Sequence, residues 1–180
     1  MDAGHRVIHS SFVQEDYAES SEWRDVCAIA KKLIDHLNNP NTLAEIHSAN
    51  QPKQSSAEVQ KVFLEKAKEL GFQDESKGLF KDYANHRLRP DYFCKLNESG
   101  ILIEVERGKT NQNNMDFLDF WKCHICMHAH YLFLCVPQQL KQNSKSTVVS
   151  RPFKATLNHM SAFFEPANYT NVRGLFLIGY

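Results

Sequence analysis

The pattern of apolar and polar positions sets helices on either side of a run of strands. From Ser20 to about Leu37, the residues Val26, Ile29, Ala30, Leu33, Ile34 and Leu37 recur at spacings of three and four. This predicts an amphipathic helix capped by Ser20-Ser21-Glu22. Asn38-Asn39-Pro40-Asn41 ends it, Thr42 to His47 is long enough for a further turn or two, and Ser48 to Gln54 reads as a loop. Ser55 and Glu58 fit a capping box at the start of another helix. Val59, Val62, Phe63, Ala67 and Leu70 line its apolar face, and Gly71 closes it as the C′ residue. Met1 to Glu19 has no clear period and reads as a loosely packed lead-in.

The middle of the chain changes period. Leu79 to Leu88 alternates roughly and suits the first strand of a meander. A second strand is expected from about Asp91 to Leu96. Asn97-Glu98-Ser99-Gly100 then has turn composition, and Ile101-Leu102-Ile103 opens a third strand apolar enough to be central. After the polar connection 111–114, Met115 to His130 predicts a helix with Phe117, Leu118, Trp121, Ile125 and Ala129 apolar. Tyr131 to Val136 is an unbroken apolar run stopped by Pro137, as expected of a strand covered on both faces. Gln138 to Ser146 reads as a surface loop or fraying helix, and Thr147-Val148-Val149 as a weak edge strand. Pro152 to Phe164 reads as a helix, and Arg173 to Tyr180 as a last strand. The order predicts one α/β domain, with a central mixed sheet flanked by helices. Residues 1–54 form an N-terminal helical extension packed on a core of residues 55–180.

The chemistry gathers in the second and third strands. Side chains alternate along a strand, so Glu104 and Glu106 share a face while Val105 points into the packing. A hairpin sets Asp91 beside that pair. Convergent carboxylates repel unless a cation lies between them, and hard divalent ions such as Mg²⁺ take oxygen ligands. Such an ion can polarise a phosphoryl oxygen. The plainer reading is that Glu104 and Glu106 are solvated on an exposed face and Asp91 caps a turn.

Pro90-Asp91, followed thirteen residues later by Glu104-Val105-Glu106, resembles the signature of the PD-(D/E)XK nuclease superfamily. That resemblance implies a restriction-endonuclease-like αβββαβ core and Mg²⁺- or Mn²⁺-dependent hydrolysis of DNA. It implies metal ligation by Asp91, Glu104 and the Val105 carbonyl. It also offers Glu58, early on the preceding helix, as a further metal ligand beside its capping role. The third motif position is usually Lys and here is Glu106, which would orient or deprotonate the attacking water. Lys109, or Lys122 on the next helix, is then the source of the missing positive charge. Arg87, Arg89, Arg107 and Lys122 are the basic residues expected to contact phosphates, or else to form an ordinary solvated rim. Restriction, phage defence and mobile-element biology are settings compatible with such an enzyme, and a homodimer would be the usual way to cut two strands. The Glu in place of Lys also motivates an alternative: a catalytically inactive nucleic-acid-binding or interaction module of the same fold.

Composition narrows the choice. In 180 residues, 21 basic side chains balance 21 acidic ones, which argues against a generic nucleic-acid coat but leaves room for a local basic patch. No apolar run is long enough to span a membrane, and the first residues lack a signal-peptide core. The odd count of five cysteines reads as reduced thiols, hence a cytoplasmic protein. Cys123-His124-Ile125-Cys126 and the histidines that follow hold soft ligands. On a helix, however, they divide between two faces, and buried thiols are the better reading. No Walker-type loop, dinucleotide-binding glycine motif or nucleophile elbow occurs.

Overall fold

The structure, a computed structural model, describes residues 6–74, 80–83, 89–108, 111, 113–141 and 147–180. Strand β1 (Ile8–Val13) leads through a 3₁₀ turn, Glu15–Tyr17, into helices α1 (Ser21–Leu37), α2 (Pro40–Ala49) and α3 (Ser56–Glu69). A meander β2 (Gln73–Asp74), β3 (Tyr92–Lys95) and β4 (Gly100–Val105) follows, then α4 (Met115–Ile125) and β5 (Tyr131–Val136). The chain ends with a hairpin β6 (Leu140–Lys141) and β7 (Val148–Ser150), helix α5 (Pro152–Phe163) and β8 (Gly174–Gly179). Six strands form one mixed sheet in the order β1-β8-β5-β4-β3-β2. β4, β5 and β8 run parallel at its centre, and β1, β3 and β2 are antiparallel to their neighbours. No helix among the described residues is long and apolar enough to cross a membrane.

The local signals set the helix ends. The Ser20 Oγ accepts from the Trp23 amide at 3.0 Å and starts α1. Gly71, at φ +91°, lets the Phe72 amide return to the Ala67 carbonyl at 2.9 Å, and α3 ends there in a Schellman closure. Ser55 is the N-cap of α3, but its side chain makes no capping hydrogen bond, so the expected capping box is not formed.

The sheet separates two apolar cores. Val26, Leu33 and Phe63 of the N-terminal helices pack with Ile101, Ile103, Val105, Phe133 and Ile178. Phe120, Cys123, Phe153 and Met160 of α4 and α5 pack with Leu102, Leu132, Leu134, Leu175 and Leu177 on the other face. Every residue of β4, β5 and β8 is buried, as the unbroken apolar run in β5 requires.

Four expectations are corrected. The supposed lead-in contains β1, whose six residues pair with β8; Ser10 and Ser11 interrupt its apolar pattern because an edge strand tolerates them. The first meander strand is β2, not Leu79–Leu88. Phe80 to Tyr83 instead form a turn, closed from the Tyr83 amide to the Phe80 carbonyl at 3.1 Å, and the rest of that segment lies outside the described residues. α4 stops at Ile125 rather than His130. The Met127 amide goes to the Tyr83 hydroxyl at 2.6 Å and the His130 amide to the Gly100 carbonyl at 3.1 Å, drawing this stretch onto the sheet. Val148–Ser150 pairs with Leu140–Lys141 in a separate hairpin instead of edging the main sheet.

Gly100 opens β4 in a place with no room for a side chain. A Cβ there would stand 2.4 Å from the Phe93 ring and 2.8 Å from the carbonyls of Cys94 and His128. We expect Gly100→Ala to lower unfolding free energy by about 1–3 kcal/mol in denaturant titration, because two of the three obstacles are backbone.

Candidate active site

Strand alternation and register assemble one polar cluster inside this framework. Ile101, Ile103 and Val105 face the N-terminal helices, so Glu104 turns toward α4. The β3–β4 register pairs Tyr92 with Ile103, and its continuation sets Asp91 opposite Glu104. Asp91 lies just before β3 begins, and its Oδ2 accepts the Val105 amide at 2.8 Å in place of a strand carbonyl. The Gln60 amide of α3 donates to Asp91 Oδ1 at 2.9 Å. From α4, the Lys122 Nζ donates to Glu104 Oε1 at 2.9 Å and stands 2.9 Å from Asp119 Oδ1. Asp119 is fully buried; the Lys122 ammonium meets its Oδ1, and Oδ2 has no hydrogen-bond donor in this arrangement. Glu106 faces Asp119 as well, so a proton on Glu106 gives Asp119 a donor.

Among the described residues, four acids therefore share one ammonium: Glu104 and Asp119 are buried, and Asp91 and Glu106 are half-buried. Burial is the leading cause that pushes Asp91, Glu104, Glu106 and Asp119 all upward, and their mutual repulsion adds to it. Glu106 is pushed up to about 7, first by burial and then by Asp119. Lys122 is held above the ordinary lysine range because Glu104 and Asp119 outweigh its desolvation. At neutral pH the cluster keeps protons that solvated carboxylates would have lost.

The donor set suits a hard divalent cation: carboxylate oxygens, a surplus of negative charge, and an Asp119 Oδ2 without a hydrogen-bond donor. Among the described residues no three His, Cys, Asp or Glu side chains stand as a ready-made metal cage. In this arrangement the Lys122 ammonium is the counter-charge of Glu104 and Asp119.

Of the residues expected here, Asp91, Glu104 and Glu106 come together, and Glu104, only 3% exposed, is not on a solvated face. Val105 contributes its amide to Asp91 and its side chain to the opposite core. Glu58 is elsewhere: it pairs with Lys61 at 2.8 Å on an exposed stretch of α3, and Gln60 is the α3 side chain that reaches Asp91. Lys122 is buried inside the cluster rather than on a phosphate-binding rim. Arg107 spends its guanidinium on the carbonyls of Gln51 and Gln54, tying down the α2–α3 connection. Arg89 is exposed and lines a cleft of ≈ 410 Å³ with Lys61, Asp74 and Asp91. Lys109 and Arg87 lie outside the described residues.

Asp119 and Gln60 were not foreseen. The signal for Asp119 was an acid three residues before Lys122, on the stripe of α4 that also carries Phe120 and Cys123. The cysteines hold no disulfide. The Cys123 thiol, pushed up by burial, donates to the Ala129 carbonyl at 3.7 Å. His130 lies beyond α4, and its imidazole is pushed down by burial and by Arg173.

Comparison of the chain with protein-family models and with curated proteins found no match.

The electrostatics fix a sign for stability against pH. The folded-state value of Glu106 lies above its unfolded value, so the folded protein binds the extra proton. Its contribution is complete below the unfolded value and disappears as pH rises through about 7, and the other three carboxyls act in the same direction. In EDTA, thermal melts should therefore fall between about pH 5 and pH 8, and Glu106→Gln should melt higher than wild type at the alkaline end. A melting temperature that is flat with pH, and unmoved by that substitution, would contradict the buried-acid arrangement.

Proposed function

We propose that the chain is a metal-dependent nuclease of restriction-endonuclease-like fold that hydrolyses DNA phosphodiesters in the cytoplasm. The observation that carries this reading is the convergence of Asp91, Glu104, Glu106, Asp119 and Lys122 where β3, β4 and α4 meet. The element order α3-β2-β3-β4-α4-β5 supports it, being the αβββαβ order of the PD-(D/E)XK superfamily whose motif the chain resembles. The lysine that the motif lacks at position 106 is supplied by Lys122 from α4.

Asp91 and Glu104, with Asp119 at hand, would hold a Mg²⁺ or Mn²⁺ ion. When bound, the ion supplies Lewis-acid polarisation of a phosphoryl oxygen. The chain's own groups do the rest. Glu106, poised near neutrality, accepts the proton of a water that attacks phosphorus, and the phosphorus–oxygen ester bond breaks in line with that attack. Lys122 offers its ammonium to the charge that develops on the phosphate oxygens. Its positive charge is assured at working pH by the acids around it. Asp91 is itself oriented by the Val105 amide and Gln60, which hold its two oxygens in separate directions.

The test is plasmid nicking and linearisation with Mg²⁺, Mn²⁺ or EDTA. Wild-type protein should cut with metal, Asp91→Ala should lose cutting by a factor on the order of a hundred or more, and the wild-type rate should climb as pH rises through about 7. Lys122→Met should also lose activity. It should destabilise the fold least at acid pH, where Glu104 and Asp119 can be neutral without their partner. Protein that neither binds divalent ions nor cuts any nucleic acid would instead favour an inactive binding module.

A further inference from the structure

Among the described residues, one buried charge lies outside the cluster. Asp116, one turn before Asp119 on α4, has no exposed surface. Its carboxylate gathers four donors: His159 Nδ1 at 2.7 Å, Asn111 Nδ2 at 2.9 Å, the Phe117 amide at 3.1 Å and the Thr156 hydroxyl at 3.2 Å. Burying a carboxylate is costly without such partners. Here the partners come from three places: Asn111 from the connection that follows the Glu104–Glu106 motif, Phe117 from α4, and Thr156 and His159 from α5. The His159 side chain is 36% exposed, and its ring is stacked on Phe117 with centroids 4.7 Å apart. With Nδ1 turned inward to the carboxylate, Nε2 is the ring's outward atom. Asp116 lies three residues before Asp119 on α4, a rise of about 4.5 Å along the helix, so α5 brings the imidazole against the same helix that carries Asp119 and Lys122.

We propose that His159, positioned by Asp116, is a phosphate-contacting residue of this site, with Nε2–H donating to a non-bridging oxygen of the bound nucleic-acid backbone. The inference rests on the nuclease reading and adds a binding residue to it. A phosphate oxygen outside and a carboxylate inside are both acceptors, so the ring must bind as the imidazolium, the form with two N–H donors. The geometry is prepaid: the carboxylate fixes which nitrogen faces in, and the Phe117 stack fixes the plane of the ring. Full burial of Asp116 serves the same end, because water cannot compete for its oxygens.

His159→Asn separates the two halves of the ring. The asparagine amide can replace the Nδ1–H that holds Asp116, and nothing replaces Nε2. The probe is a fluorescent 20-base-pair DNA duplex titrated in EDTA at several salt concentrations. Compared with wild type, His159→Asn should bind roughly three- to tenfold more weakly, with a log K against log salt slope shallower by about 0.9, one phosphate contact's worth. A purely structural histidine would not move that slope. Should the variant fold poorly, histidine-selective ¹⁵N NMR of the wild-type protein gives the same decision. The His159 Nε2 signal should move on adding duplex, and an unmoved signal overturns the proposal. Wild type that binds DNA while His159→Asn keeps its slope and affinity overturns the phosphate contact and leaves the nuclease reading standing. Wild type that neither binds nor cuts DNA removes both.

Discussion

The ammonium of Lys122 is the interaction on which the polar end of the molecule depends. Two carboxylates, Glu104 and Asp119, lie in ion-pair contact with it inside the fold, and two more, Asp91 and Glu106, feel the same field. A single buried cation cannot balance four acids, so the remainder is met by protons, or by a metal ion where one is bound. This explains why all four carboxyls are shifted upward even though a lysine sits among them. Desolvation is the largest cause for each, and the attraction to Lys122 offsets only part of it. Such a cluster is poor at stabilising a fold.

The rest of the architecture delivers side chains to that ammonium. β4 is buried on both faces, yet it gives one of its two stripes to the apolar core and, at its end, the other to α4. A one-residue slip in its pairing would put Glu104 against Phe63 and Ile103 against Lys122, which both cores forbid. Gly100, pressed between the Phe93 ring and two carbonyls, and the Leu96-to-Ser99 turn fix where β4 starts. Asp91 occupies the point where β3 has not yet begun, so its carboxylate can take the ladder position that a backbone carbonyl would otherwise fill. The apolar packing and the polar cluster are thus specified by the same register.

Much of this was legible in the sequence, because the two-residue period that buries Ile101 and Ile103 also dictates that Glu104 and Glu106 share a face. The helices α1, α3 and α5 were legible for a similar reason: their apolar stripes, Ser20, Gly71 and Pro152 are local signals. What could not be read was set by distant contacts. β1 is a strand because β8 offers it a partner some 170 residues later along the chain, as in the Ile8–Gly179 pair. α4 ends early because Tyr83 and Gly100 capture the backbone that follows it. Glu58 was placed by its position on a helix, but a helix also rotates its residues. Gln60, two positions on, holds the angle that reaches Asp91 while Glu58 turns outward to Lys61. Asp116 and His159 meet only when α5 packs beside α4, a pairing no short-range pattern announces.

The ammonium of this cluster comes from a helix, not from the strand that carries the acidic pair. Position 106 follows the end of β4, whereas Lys122 is two turns along the helix that packs on that strand. A long, flexible side chain arriving from the helix can reach Glu104, so the ammonium need not come from the strand. Position 106 carries a carboxyl pushed up to about 7, first by burial and then by Asp119. A strand lysine could not accept a proton from water at neutral pH while paired with these acids. A glutamate in this environment can. The division places the ammonium on α4 and the raised carboxyl beside β4. It also explains why Asp119 is buried with them: it is the group that both pairs with Lys122 and raises Glu106.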